Sequence, residues 1–159
     1  MREAIGSAFL VNLILIFIGV ISALVVGSIS YSKAYKAKDR ILYVIEKYDG
    51  YTDEAKKEID SSLKKIGYVI DSTDSSRCEN LYTKKGGFNS DNLLHGKNNG
   101  TAKYDYCVYK YDCTTNDGSC VATYYGVTTF MHFDIPLIGG LLKFSVSGET
   151  SLVYDVIDN

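Results

Sequence analysis

The four cysteines of this chain are its residues with the clearest capacity for chemistry. They all lie after an apolar N-terminal segment: Cys78, Cys107, Cys113 and Cys120. An even number of cysteines in one small domain predicts two disulfides and an oxidising compartment. Three pairings are possible. We favour Cys113–Cys120, because the short polar segment between them suits a tight connection, and Cys78–Cys107 would then close a long loop.

Metal binding is the main alternative use of such side chains. Zinc sites usually draw ligands from CxxC pairs, which this chain lacks, and only His95 and His132 could supply imidazole ligands. A calcium site is the other possibility, from the cluster Asp105, Asp112, Asn116 and Asp117. Its spacing matches no calcium loop, and Asp-Asn-Gly clusters usually form turns. We therefore predict no metal site.

Catalytic constellations are equally weak in this sequence. Cys107 and His132 could form a nucleophile pair, but with two histidines in 159 residues coincidence is the simpler explanation. The sequence has no glycine-rich phosphate loop, nucleophile elbow or HExxH motif. The formal net charge of -2 gives no basic field for nucleic acid. We predict a protein that is not an enzyme and uses no cofactor.

An apolar N-terminal segment, Ala8–Ile29, contains no charged side chain. At about 1.5 Å per residue its length is about 33 Å, enough to cross a hydrocarbon core of about 30 Å. A cleaved signal peptide is an alternative, with a weak cleavage site at Ser28-Ile29-Ser30. A buried core helix is disfavoured, because so small a domain could hardly surround it. The segment predicts a membrane-spanning helix.

The helical pattern continues beyond the membrane segment, since residues 31–48 contain neither Gly nor Pro. Apolar residues recur there at helical spacing: Ala34, Tyr35, Ala37, Ile41, Leu42, Val44, Ile45 and Tyr48. The basic residues share the opposite face: Lys33, Lys36, Arg40 and Lys47. Asp49-Gly50 predicts the end of the helix. We therefore expect one unbroken helix of about 45 residues and about 70 Å.

A short second helix and a small antiparallel sheet complete the predicted α+β fold. Thr52 is placed to cap a helix that runs to about Ile66, and Gly67 to end it. Strand patterns follow at residues 68–70, 104–113, 121–133 and 142–157, and their tyrosines suit a sheet surface. Residues 72–100 predict a long surface loop. We assign residues 1–30 to the membrane segment and 31–159 to an extracytoplasmic domain that includes the helix extension 31–48.

The orientation in the membrane is indicated by two conflicting signals. Basic residues cluster just after the apolar segment, which by the positive-inside tendency would place the domain in the cytoplasm. The paired cysteines favour the opposite side, and the sequon at Asn99 agrees weakly. We favour the extracytoplasmic side, because the lysines belong to a helix face that neighbouring protein can cover.

The order of these elements resembles the type IV pilin and pseudopilin superfamily, and within it the TadE-like minor pilins of Tad-type pilus systems. Three strings carry the resemblance: Met1-Arg2-Glu3-Ala4-Ile5-Gly6, the stretch from Ser30 to Lys38 leading into Ile41–Tyr48, and Ile135-Pro136-Leu137-Ile138-Gly139-Gly140 before the last strand. The resemblance implies a structural subunit that associates with its own copies through apolar helices. Its implied partners are membrane lipid before assembly and an assembly ATPase and platform protein.

The resemblance also implies roles for individual residues. Glu3 is the only acidic residue near the helix start that could neutralise the N-terminus of an adjacent subunit. Gly19 and Gly27, with Ser22 and Ala23, would let helices approach closely. One departure stands out: a chain cleaved after Gly6 would place Val11, not a glutamate, at the fifth position. The alternative function is a monomeric, membrane-anchored binding or sensor domain.

Overall fold

A long N-terminal helix dominates the computed structural model, which describes residues 2–68, 78, 92–95, 106–112, 122–131 and 144–154. Side chains are described for all of these except residues 2–7, 112, 122 and 154. Helix α1 spans Arg2–Lys47, 46 residues without interruption. The predicted continuation of the apolar segment into the domain is therefore confirmed.

The turn after α1 uses the residues that the sequence indicated. Asp49 adopts a φ of 51° and Gly50 a φ of 153°, both in the region that favours glycine. Helix α2 follows at Asp53–Ile66. The Ala55 amide donates to Thr52 Oγ1 at 3.2 Å, and Gly67 ends the helix with a φ of 70°. Both predicted caps of α2 are confirmed.

An antiparallel sheet packs beside the helices. Its strands are β1 (Leu93–His95), β2 (Tyr106–Asp112), β3 (Ala122–Phe130), β4 (Ser145–Glu149) and β5 (Val153–Tyr154). The order is β1-β2-β3-β4, and β5 also pairs with β3. Both β4 and β5 thus lie along the same central strand, one after the other.

The sheet differs from the sequence prediction in three places. Strand β1 lies within residues 72–100, which we expected to be loop. The predicted last strand is divided, because the Thr150 amide donates to the Tyr125 carbonyl and Ser151 is held by Glu46 of α1. Tyr68 is not in a strand, since its amide closes the end of α2 by donating to the Leu63 carbonyl. Residues 69 and 70 lie outside the described residues.

Two apolar clusters cover opposite faces of the sheet. The larger cluster joins α1, α2 and the sheet, and its fully buried members include Ala34, Ala37, Ile41, Val44, Ile45, Ile59 and Leu63. The smaller cluster contains Cys78, Leu93, Cys107, Tyr109, Tyr111 and Phe130. One correction concerns Tyr35, which the apolar pattern included but which is 45% exposed.

Candidate assembly surface

The apolar half of α1 makes no packing contact with the domain that the structure describes. Each large apolar side chain from Phe9 to Ile29 is at least 37% exposed, and the helix is long and apolar enough to cross a membrane. About 15 such side chains, at about 1.5–3 kcal/mol each, would cost on the order of 20 kcal/mol or more in water. So much exposed apolar surface is typical of a segment that packs in lipid or against other apolar helices.

The domain begins within about one helical turn of the apolar segment. Ala34 is fully buried, and Thr129 Oγ1 of β3 donates to the Ala34 carbonyl at 2.9 Å. Further along, Gly148 of β4 lies so close to α1 that a Cβ there would come within 2.9 Å of Lys38 and of Leu42. The sheet is thus fixed directly to the helix that carries the apolar segment, with no linker between them.

Small residues share one face of the exposed segment. Ser22, Ala23 and Gly27 follow Gly19 by three, four and eight positions, a spacing that places them on the same side of a helix. A Cβ at Gly19 would meet nothing within 4 Å. Ser22 Oγ donates to the Ile18 carbonyl at 2.8 Å, so its hydroxyl is satisfied inside the helix. Packing within the described part of the chain therefore does not require glycine at position 19.

Glu3, the third residue proposed for assembly, lies in α1, but its side chain is outside the described residues. Its pairing with a neighbouring N-terminus stays a prediction.

A carboxylate on α2 fastens α2 to the amphipathic half of α1. Glu58 accepts from Arg40 Nη2 at 3.0 Å, from Lys47 Nζ at 2.6 Å and from the Tyr48 hydroxyl at 3.0 Å. The hydrogen bond from Lys47 contributes most to holding the pKa of Glu58 below its ordinary value, and it raises the pKa of Lys47. The helix extension is therefore fixed in place on its charged side as well as its apolar side.

The basic cluster after the apolar segment divides into two pairs. Lys38 is 8% exposed, contacts Asp39 at 2.7 Å and lies over the Tyr35 ring, while Arg40 binds Glu58 and Ser62. Lys33 and Lys36 are exposed and make no ion pair within the described residues. The burial of Lys38 was not predicted from the sequence. Gly148 was the signal available in the sequence, because a glycine inside a strand pattern often marks a place where another element lies close to the backbone.

The described disulfide joins Cys78 to Cys107, with a Cα–Cα distance of 5.7 Å. This is the pairing that we favoured for these two residues. It lies in the smaller apolar cluster, where the Tyr109 hydroxyl donates to the Cys78 carbonyl at 2.8 Å. In this state Cys107 has no thiol to offer as a nucleophile. Cys113 and Cys120 lie outside the described residues, as does His132.

One polar cluster with a histidine lies between the α1–α2 turn and the sheet. The Tyr51 hydroxyl is 3.0 Å from His95 Nδ1 and 3.2 Å from the Tyr106 hydroxyl, and the His95 ring stacks on Tyr106 at 3.9 Å. Burial raises the pKa of Tyr51 to about 12. Tyr51 therefore stays neutral at ordinary pH, and the cluster serves to position the loop before α2.

Among the described residues, no group of three or more His, Cys, Asp or Glu side chains could hold a metal ion. No protein-family model, curated protein or solved structure matches the chain. The fold therefore defines only a class: a small disulfide-bonded α+β domain built on one long, apolar N-terminal helix.

Proposed function

We propose that the chain is a structural subunit of a pilus-like filament in the cell envelope or outside the cell. Its apolar helices would bundle into the filament core, and the α+β domains would cover the outside. Before assembly the subunit is a single-pass membrane protein with its domain on the extracytoplasmic side. An ATPase and a platform protein would extract it from the membrane.

The observation that carries this proposal is the continuity of α1 from the apolar segment into the domain core. The same helix is exposed over Phe9–Ile29 and fully buried at Ala34, Ala37 and Ile41. A membrane anchor needs only length and hydrophobicity, so a loose linker would serve it. A filament needs each domain held at a fixed angle to the helix that packs in the core, and the contacts of Thr129, Gly148 and Glu58 with α1 provide that.

Photo-cross-linking in intact cells tests the proposal. Phe17, which is 63% exposed in the middle of the apolar segment, is replaced by a photoreactive phenylalanine analogue. Irradiation should give a ladder of adducts of the chain with itself, and a sample kept dark should give none. Adducts to lipid alone would favour the monomeric, membrane-anchored binding or sensor domain.

A further inference from the structure

Four exposed lysines from two helices lie at the end of the domain where α1 leaves the apolar segment. We call them the basic rim: Lys33, Lys36, Lys64 and Lys65. All four are exposed, and none makes an ion pair within the described part of the chain. We propose that the basic rim binds the headgroups of anionic phospholipids while the subunit is stored in the membrane.

The position of the first pair follows from the geometry of α1. If the hydrocarbon ends at Ile29, Lys33 lies about 6 Å and Lys36 about 10 Å further along the helix axis. The headgroup layer on each side is about 5–8 Å thick, and a lysine side chain can extend several ångströms toward it. Tyr31 and Tyr35, 51% and 45% exposed, lie at the same level, where aromatic residues favour the membrane interface.

Helix α2 brings the second pair to the same level. It runs antiparallel to α1, because Tyr48 donates to Glu58 and Arg40 donates to Ser62. Just beyond its end, the Tyr68 hydroxyl donates to the Phe130 carbonyl at 2.9 Å. Phe130 adjoins Thr129, which is bonded to Ala34 of α1. The last turn of α2, with Lys64 and Lys65, therefore faces the membrane.

The charges of the two helices are distributed unevenly between their ends. The exposed acidic residues around the α1–α2 turn lie at the opposite end of the domain: Asp49, Asp53 and Glu54. The membrane-facing end also carries Phe144, which is 50% exposed and whose carbonyl accepts from the Met131 amide. Two further acidic residues lie nearer the rim: Asp39, which contacts Lys38, and the exposed Asp60. The ends of the two helices still differ, since the rim carries four lysines and the far end three acids, and a positive end complements an anionic membrane surface.

This arrangement also accounts for the conflict between the disulfide and the positive-inside tendency. Lys38 pairs with Asp39 and Arg40 pairs with Glu58 inside the domain. The lysines of the basic rim would pair with lipid headgroups. The lysines after the apolar segment then need not mark the cytoplasmic side.

Lipid selectivity of the unassembled full-length chain tests the inference. The chain is reconstituted in phosphatidylcholine vesicles, and its association with spin-labelled phosphatidylglycerol and phosphatidylcholine is compared by electron paramagnetic resonance. We expect a preference of about fivefold for phosphatidylglycerol at low salt, since one lysine near an anionic surface contributes about that factor. The preference should disappear at about 1 M salt, where the Debye length is about 3 Å.

The matched variants remove equal charge from the two ends of the domain. Lys33→Gln/Lys36→Gln should lower the preference at least twofold, and the further pair Lys64→Gln/Lys65→Gln should abolish it. The control Lys56→Gln/Lys57→Gln, near the far end of α2, should retain it. No preference in the parent, a preference that survives all four rim substitutions, or an equal loss in the control would overturn the inference. Filament formation does not enter this measurement, so its outcome is independent of the proposed function.

Discussion

Gly126 and Gly148 show how single residues determine what can approach the sheet. Gly148 faces α1 and leaves room for Lys38 and Leu42. Gly126 faces the other side, where the Tyr111 ring lies over it and stacks on Tyr124 at 4.5 Å. A side chain at either position would have to displace one of these neighbours.

Gly126→Ala should destabilise the domain more than Gly148→Ala. The new Cβ would lie 2.7 Å from Tyr111 Cε2, on a ring that its stacking partner holds in place. At Gly148 the obstructing atoms belong to flexible lysine and leucine side chains. We expect a loss of about 1–3 kcal/mol for Gly126→Ala in the free energy of unfolding. Denaturant unfolding of the full chain in detergent measures it, and equal losses at the two glycines would contradict the packing described.

The sequence predicted some of these residue-level features and missed others. The caps of α2 follow from local chemistry, because Thr52 and Gly67 are typical cap residues. The number of cysteines allowed three pairings, and the Cys78–Cys107 bond was favoured only because Cys113–Cys120 suited a tight connection. The burial of Lys38 does not follow from local chemistry, because it depends on the pairing of β4 with β3, which brings Gly148 to the helix. Such contacts between residues distant in sequence leave no periodic pattern.

At the scale of the elements, Glu58 adds charged contacts to the apolar packing between α1 and α2. Glu58→Gln should lower the unfolding temperature, because Arg40, Lys47 and Tyr48 lose a charged acceptor. The pKa of Glu58 is below its ordinary 4.5, so its contribution is complete above about pH 4.5 and is lost as the pH falls through the folded-state pKa.

Thermal unfolding followed by circular dichroism measures this effect. The difference between parent and Glu58→Gln should be largest above pH 4.5 and shrink on acidification. Glu54→Gln, an exposed acid in the first turn of α2, is the control and should have a smaller effect. A parent–variant difference that grows toward low pH would contradict the described role of Glu58.

One matched pair of variants in the apolar half of α1 distinguishes a filament subunit from a monomeric, membrane-anchored domain. Gly19→Leu enlarges the small-residue face, and Ser28→Leu makes a similar change on the opposite face, nine residues further along. Both should insert into the membrane at least as well as the parent. We expect Gly19→Leu to reduce the amount of polymer in sheared surface material several-fold, because close helix approach depends on small residues. Ser28→Leu should reduce it less.

Equal polymer from the parent and Gly19→Leu would show that this face does not pack against neighbours. The same exchange at Gly27 should act like Gly19→Leu, and at Ala8, near the membrane edge, it should be milder.

The elements themselves were predictable to different degrees. The long helix was predicted from its apolar composition and from the helical spacing of its apolar residues. Its 46 residues agree with the expected length of about 45. Strand β1 was missed because three residues with a register shift make too short a pattern. The last strand was predicted as one element, since the break at Thr150 comes from its bonds to Tyr125 on β3.

At the scale of the whole molecule, charge and cysteine chemistry indicate opposite sides of the membrane. The disulfide state in cells distinguishes them. In a Cys113→Ser/Cys120→Ser variant, acid-quenched and denatured cells are treated with a maleimide mass tag. We expect no tag before reduction and a tag on both Cys78 and Cys107 after it. Tagging of both residues without a reductant would place the domain in a reducing compartment and reject the extracytoplasmic assignment.

The central claim is that copies of this chain assemble through α1 into a filament. Electron microscopy of sheared surface material tests it most directly, with an epitope tag at the C-terminus and gold-labelled antibody. We expect thin filaments labelled along their whole length, or at intervals if the chain is a minor subunit. If the tagged chain stays monomeric in the membrane fraction under every growth condition and labels no filament, the claim is wrong.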